Sequence, residues 1–203
     1  MKLYYSPGAC SLAAHIILNE INVDFDLERV DLKTHKTSKG ADYYEINPKG
    51  YVPALEINPG LILTENVAIL PFLAQHDPKQ DLIPPWGMGR AKVLEWLGYL
   101  NSELHDAYAV FFTGKLTDDE KNRAYAEVDR LLKYIDNYLA ESECDYLVDD
   151  NFGPADAYLF VITNWSNHIE HDLTPYPNIV ALRNKVAERQ SVQTAMRDEG
   201  LLA

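Results

Sequence analysis

The sequence predicts an α+β protein built from a small α/β domain with a mixed sheet, followed by an all-helical bundle. Three observations carry that prediction. Up to about residue 75, short strand and helix signals alternate, first as β-α-β and then as β-β-α. The segment from His76 to Met88 then gathers Pro78, Pro84, Pro85 and Gly87, the composition of a linker. Beyond it, apolar residues recur only at helical spacing. The boundary falls near residue 80, giving domains at 1–80 and 88–203.

In the first domain Leu3-Tyr4-Tyr5 reads as a strand, Ser11 to Glu20 as a helix, and the alternating run Phe25 to Val30 as a second strand. Pro53 to Ile57, the turn Asn58-Pro59-Gly60 and Leu61 to Leu63 form a hairpin. Thr64 offers an N-cap for a helix through Gln75, although Pro71 inside it removes a backbone donor and is expected to kink it. In the second domain Leu97, Leu100, Leu104, Tyr108 and Phe111 mark one apolar stripe of a helix. Thr117 to Glu120 is a capping box for the next, which carries Val128, Leu131, Leu132, Ile135 and Leu139. Pro154 opens a third helix, apolar on nearly every face from Tyr158 to Ile162, as expected at a bundle centre. A further helix spans Pro177 to Arg189, with a short tail after it.

Composition narrows the function classes. The net charge of −13 argues against nucleic acid or anionic membrane as a partner. No apolar run approaches the roughly 18 residues of a membrane span, and the N-terminus enters a strand at once, without a secretory pattern. Cys10 and Cys144 lie in different domains, so a reduced, cytoplasmic protein is expected. The scattered histidines, His168 and His171 included, have no metal-site spacing.

Two segments point to chemistry. Cys10 follows the turn Ser6-Pro7-Gly8 at a helix start, where free N–H groups and the helix dipole favour a thiolate. Ala13 stands where a two-cysteine redox motif needs its second sulfur, so a sulfur partner must come from elsewhere. In Asn47 to Leu55, Pro53 opens a strand, and a cis Val52-Pro53 bond turns the Val52 backbone outward toward a peptide-like ligand. Eleven residues past Pro53 comes Thr64-Glu65-Asn66 at a helix start, where Glu65 is suited to an amino group while the helix end takes a carboxylate. Cys144 reads as inert. Tyr108, Phe111 and Phe112 read as core or interface, with one or two of them free to line an apolar substrate site.

The loop Ser-Pro-Gly-Ala-Cys-Ser, the segment Asn-Pro-Lys-Gly-x-Val-Pro-x-Leu, Leu-Thr-Glu-Asn and the helix Ala-Asp-Ala-Tyr occur here in order. Together, over essentially the whole chain, they resemble a bacterial glutathione transferase of the beta class. The resemblance implies a thioredoxin-like N-terminal domain, a helical C-terminal domain and a homodimer. It also implies detoxifying transfer of glutathione, a cosubstrate with no other cofactor, to small hydrophobic electrophiles. Cys10 would lie beside the glutathione sulfur, and His105 would reach it from the helical domain. Val52, before Pro53, would pair with the cysteinyl unit, while Glu65 and Asn66 hold the γ-glutamyl end. Gly98, Ser102 and His105 would form one small, polar stripe at helical spacing.

Departures accompany the likeness. His35 stands where a lysine is usual near the glycyl carboxylate, and Tyr51 where a glutamine is common. Gly98 replaces an asparagine, and Gly153 replaces the usual Ser or Thr helix cap, with Asp156 still able to reach back. Two rivals to conjugation stand beside it: a glutathione-dependent thiol or disulfide reductase cycling Cys10 through a mixed disulfide, and a non-catalytic carrier of apolar ligands.

Overall fold

A computed structural model describes residues 1–202. Its N-terminal part is a five-stranded sheet in the order β3-β2-β1-β4-β5. The strands are β1 (Lys2–Tyr5), β2 (Asp26–Asp31), β3 (Lys36–Thr37), β4 (Ala54–Asn58) and β5 (Leu61–Thr64). β1 runs parallel to β2, joined by the crossover helix α1 (Ser11–Glu20), and antiparallel to β4. β4 and β5 form the expected hairpin, and the mixed sheet matches the thioredoxin-like fold class. β3, only two residues long, is too short to leave a pattern in the sequence.

The helix after the hairpin, α2 (Asn66–Ala74), starts later than expected. Thr64 closes β5 instead of capping the helix, and Glu65 occupies the cap position at φ 73 without a side-chain cap bond. Pro71 stands inside α2, buried in the core.

The linker is tied down by buried Asp77, Leu82 and Ile83. The helical part then comprises α3 (Gly87–Tyr99), a wider π-helical segment over Leu100–His105, α4 (Asp106–Ala109), α5 (Asp118–Glu141), α6 (Pro154–Asn164), α7 (Pro177–Ala187) and α8 (Gln190–Asp198). The tail after Arg189 is therefore itself a helix. The expected single stripe from Leu97 to Phe111 buries Leu97, Leu100, Leu104 and Tyr108, but through three helical geometries rather than one.

One continuous apolar core spans both parts, from Leu3 and Ile16 through Leu97 and Val128 to Ile179 and Ala195. It is thickest around α6, where every residue from Pro154 to Thr163 is buried. The cap of α6 explains the unusual glycine. A Cβ on Gly153 would stand 3.0 Å from the Leu82 carbonyl oxygen, so a Ser or Thr there meets the linker backbone. Asp156 compensates: its carboxylate accepts from Gly153 N at 2.8 Å and from Leu147 N at 2.8 Å.

Candidate active site

The Cys10 loop is held from both sides. Trp165, just past α6, donates its indole N–H to Gly8 O at 2.8 Å. Glu199, just past α8, accepts from Gly8 N at 2.9 Å and pairs with the buried His15 of α1 at 3.0 Å. The turn before the helix is thus fixed by the end of the chain, and Cys10 takes the N-cap position of α1.

The sulfur does not behave as its place at a helix start suggests. Cys10 Sγ donates to the Val52 carbonyl oxygen at 3.2 Å. Burial, the dominant influence, pushes the thiol up to about 12, with backbone N–H groups only partly opposing it. The helix start alone favours a thiolate, whereas burial beside the Val52 loop favours the protonated form of this half-buried thiol.

Val52 reaches the sulfur through the predicted cis Val52-Pro53 bond. The preceding carbonyl, Tyr51 O, is anchored by Asn47 Nδ2 at 2.7 Å and Tyr43 Oη at 2.9 Å. Gly50 has to be glycine: it lies at φ 74, and a Cβ there would sit 2.7 Å from the Tyr44 ring. On the neighbouring strand end, Glu65 forms an ion pair with Lys49, whose ammonium also donates to Thr64 Oγ1 at 2.9 Å. Asn66 donates to Cys10 O at 3.0 Å, which fixes its amide orientation and leaves Oδ1 buried without a partner.

Two cavities meet at Cys10. A polar one of about 180 Å³ is lined by Lys49, Thr64, Glu65 and Asn66 from the first domain and by Asn101, Asp106 and Tyr158 from the second. A larger one of about 750 Å³ is mostly apolar, with Pro7, Ala9, Leu32, Ala109, Phe112 and Trp165 among its walls. Cys10, Tyr51, Val52 and His105 line both. His105 packs edge-on against Trp165 at 5.1 Å, and burial pushes its pKa below the ordinary 6.5 although Asp106 opposes this. The neutral imidazole is thereby favoured.

Of the expected site residues, the structure gathers Cys10, Tyr51, Val52, Pro53, Glu65, Asn66 and His105 around the polar cavity. His35 lies across the apolar one, at φ 50 with its ring 4.4 Å from that of Tyr44. Ser102 is not brought in: it is exposed and its hydroxyl reaches only Glu103, at 3.5 Å. The π-helical segment is the reason. Its wider turn closes five residues apart, so a stripe laid out at α-helical spacing rotates away. Asn101 takes the inward position, where its Oδ1 accepts from Tyr158 Oη at 3.0 Å.

Lys49, Asn101, Tyr158, Trp165 and His168 escaped the sequence reading as site residues, Tyr158 because its apolar neighbours mark it as core. Among the described residues no helix is long and apolar enough to cross a membrane, and no three His, Cys, Asp or Glu side chains converge as a metal site.

Residues 1–75 match the family described as Glutathione S-transferase, N-terminal domain, and residues 92–190 match its C-terminal domain. Glutathione S-transferase GstA of Escherichia coli O157:H7 is 39% identical over 202 residues, covering 99% of this chain and 100% of that protein. The solved structure of a bacterial beta class glutathione S-transferase from Sphingomonas chungbukensis is 40% identical, with a TM-score of 0.94 and 100% of both chains covered. A sphingomonad glutathione S-transferase solved in complex with glutathione is 39% identical, with a TM-score of 0.93 over 100% of both chains. With the fold, the full-length identity and both halves of the family present in order, the chain belongs to the glutathione S-transferase family.

Proposed function

We propose that this glutathione transferase uses the junction of its two cavities as the reaction centre. The observation that carries the reading is that Cys10, Tyr51, Val52 and His105 line both the polar and the apolar cavity. Glutathione takes the polar one, its γ-glutamyl end at Glu65 and Asn66 and its cysteinyl backbone along Val52. Its sulfur then emerges at the junction. A hydrophobic electrophile occupies the apolar cavity against Trp165 and Phe112. Residues 1–80 act as the glutathione-binding domain, and 88–203 contribute Ala109, Phe112 and Trp165 to an apolar cavity that Pro7, Ala9 and Leu32 complete from the first domain.

Neutral His105 takes the glutathione thiol proton, and the thiolate attacks the electrophilic carbon. The new C–S bond forms as the leaving group departs with its electron pair. Where the substrate undergoes addition instead, the proton returns from His105 to the adduct. Cys10 keeps its own proton and positions the incoming sulfur. A reductase cycle needs Cys10 as a thiolate, and its raised pKa weighs against that rival. A homodimer and a cytoplasmic location complete the proposal; exposed Trp86 and Met88 offer apolar surface for a second subunit.

Steady-state kinetics over pH with glutathione and an aromatic electrophile test this. Because burial lowers the His105 pKa, the acid limb of kcat/KM is expected below 6.5. His105→Gln removes the limb and lowers kcat about a hundredfold. A His105→Gln profile that superimposes on wild type removes His105 from the proton transfer.

A further inference from the structure

The apolar cavity carries no Lys, Arg, Asp or Glu in its walls, so any charge on a substrate held there has to be met at its edge. Along one edge lies a second groove of about 580 Å³, formed by the end of β2, the turn after it, the start of β3 and Ser6. The two adjoin: Leu32 lines both, and Ser6 of the groove precedes Pro7 of the cavity. The groove inverts the charge of the chain. The whole sequence has 31 acidic residues against 18 Lys and Arg, whereas the groove is lined by Arg29, Lys33 and Lys36 against Asp31 alone. Asp31 Oδ1 already accepts from Lys33 N at 2.8 Å and Thr34 N at 3.3 Å, which fixes the turn between the strands. Among the described residues none of the three cations has a carboxylate partner, although Lys39 just beyond β3 is held by Glu28 at 3.0 Å. Cations gathered without a partner repel one another, and an anion placed among them relieves this.

We propose that the electrophiles of this enzyme include amphipathic anions, whose reactive apolar end enters the cavity beside His105 and whose carboxylate, at the end of a tether, lies among Arg29, Lys33 and Lys36. This substrate class rests on the reading of the apolar cavity as the electrophile site and adds to it. The net charge of −13 repels such a substrate at a distance. The groove reverses that once the carboxylate comes within a Debye length of the cations, about 8 Å. All three cations are exposed, so each contributes little and the attraction is sensitive to salt.

Kinetics with glutathione and either 6-(4-chloro-3-nitrobenzamido)hexanoate or its methyl ester test this, because the two compounds share one reacting carbon and differ only at the tether end. In each, the glutathione sulfur bonds to the ring carbon that carries chlorine, chloride leaves with the bonding pair, and the thiol proton passes to His105. Wild type is expected to favour the carboxylate about fivefold in kcat/KM at low ionic strength, and to lose most of that preference at about 0.5 M salt. Replacing all three cations, R29Q/K33Q/K36Q, abolishes the preference, while turnover of the neutral ester reports that the variant is folded and active. K33R/K36R, which keeps the charges, keeps the preference. Equal turnover of acid and ester by wild type, at this and at shorter and longer tethers, overturns the proposal. So does a preference that survives in the triple variant. Conjugation of 1-chloro-2,4-dinitrobenzene with neither tethered compound accepted removes the substrate class alone. Failure to conjugate glutathione to any of the three removes the parent reading and this substrate class together.

Discussion

The two halves of the cleft are built by different means. The polar half comes largely from short contiguous segments of the N-terminal domain, Asn47 to Pro53, a turn whose carbonyl Tyr51 O is pinned by Asn47 and Tyr43, and Thr64 to Asn66 at a strand–helix junction, with Asn101, His105, Asp106 and Tyr158 closing it from the helical domain. The apolar half is assembled from side chains far apart in sequence, including Leu32, Ala109, Phe112 and Trp165. In the proposed reading the first recognises a ligand through backbone and charge, which tolerate little variation, and the second recognises shape, which many side-chain combinations can fill. A fixed cosubstrate suits the first kind of site, and variable electrophiles suit the second.

Breaking the polar half is expected to give the largest effect. Glu65→Ala removes a charged acceptor from the γ-glutamyl site and leaves Lys49 unpaired, a loss of about 2 kcal/mol or roughly thirtyfold in KM for glutathione. KM for the electrophile and kcat at saturation stay near wild type. Steady-state titration of each substrate at saturating levels of the other checks this. A comparable rise in KM for the electrophile would show that the two halves are not separable.

The matching change in the apolar half is Trp165→Ala, expected to raise KM for an apolar electrophile about tenfold through lost contact area. Trp165 has a second task, since its indole N–H holds Gly8 O. Trp165→Phe keeps the aromatic wall and removes that bond. If glutathione KM rises with Trp165→Phe while electrophile KM does not, the loop anchor is the part that glutathione feels.

The same contrast explains what the sequence made legible. Val52-Pro53 and Glu65 could be read because their function lies in backbone conformation and in a helix boundary, both written in adjacent residues. Trp165 and Tyr158 could not, because each sits in a run that burial alone accounts for. The facing of Ser102 could not be read either, because α-helical spacing fails across the π-helical turn, whose presence no single residue announces. The influences on Cys10 divide in a related way. Its helix-start position is local, whereas the carbonyl that buries it belongs to Val52, 42 residues away. Local rules locate the sulfur, while its burial is set by a segment distant in sequence.

Cys10 itself sharpens the comparison, because it stands where the halves join. Its raised pKa means a thiol that resists alkylation at pH 7, with iodoacetamide reactivity rising only as pH approaches about 12. Cys10→Ala is expected to leave kcat/KM for conjugation within about threefold and to abolish any mixed disulfide with glutathione. Rapid alkylation at neutral pH, or loss of conjugation in Cys10→Ala, would move the reaction from glutathione's sulfur to the protein's own.

The smallest effect tests the scaffold that holds the apolar half. Gly153 caps α6, the helix that carries Tyr158 and leads into Trp165. Gly153→Ser supplies the hydroxyl usual at such a cap, which in an open site stabilises by a few tenths of a kcal/mol relative to glycine. Here its Cβ meets the Leu82 carbonyl at 3.0 Å, so the linker must shift to accept it. The expected net result is a loss of about 1 kcal/mol in urea unfolding, with glutathione KM unchanged. A gain in stability would mean that the linker yields freely and that glycine at this cap has no packing cause. A loss confirms that the contact between linker and helical domain, rather than the cap hydroxyl, governs how α6 is seated.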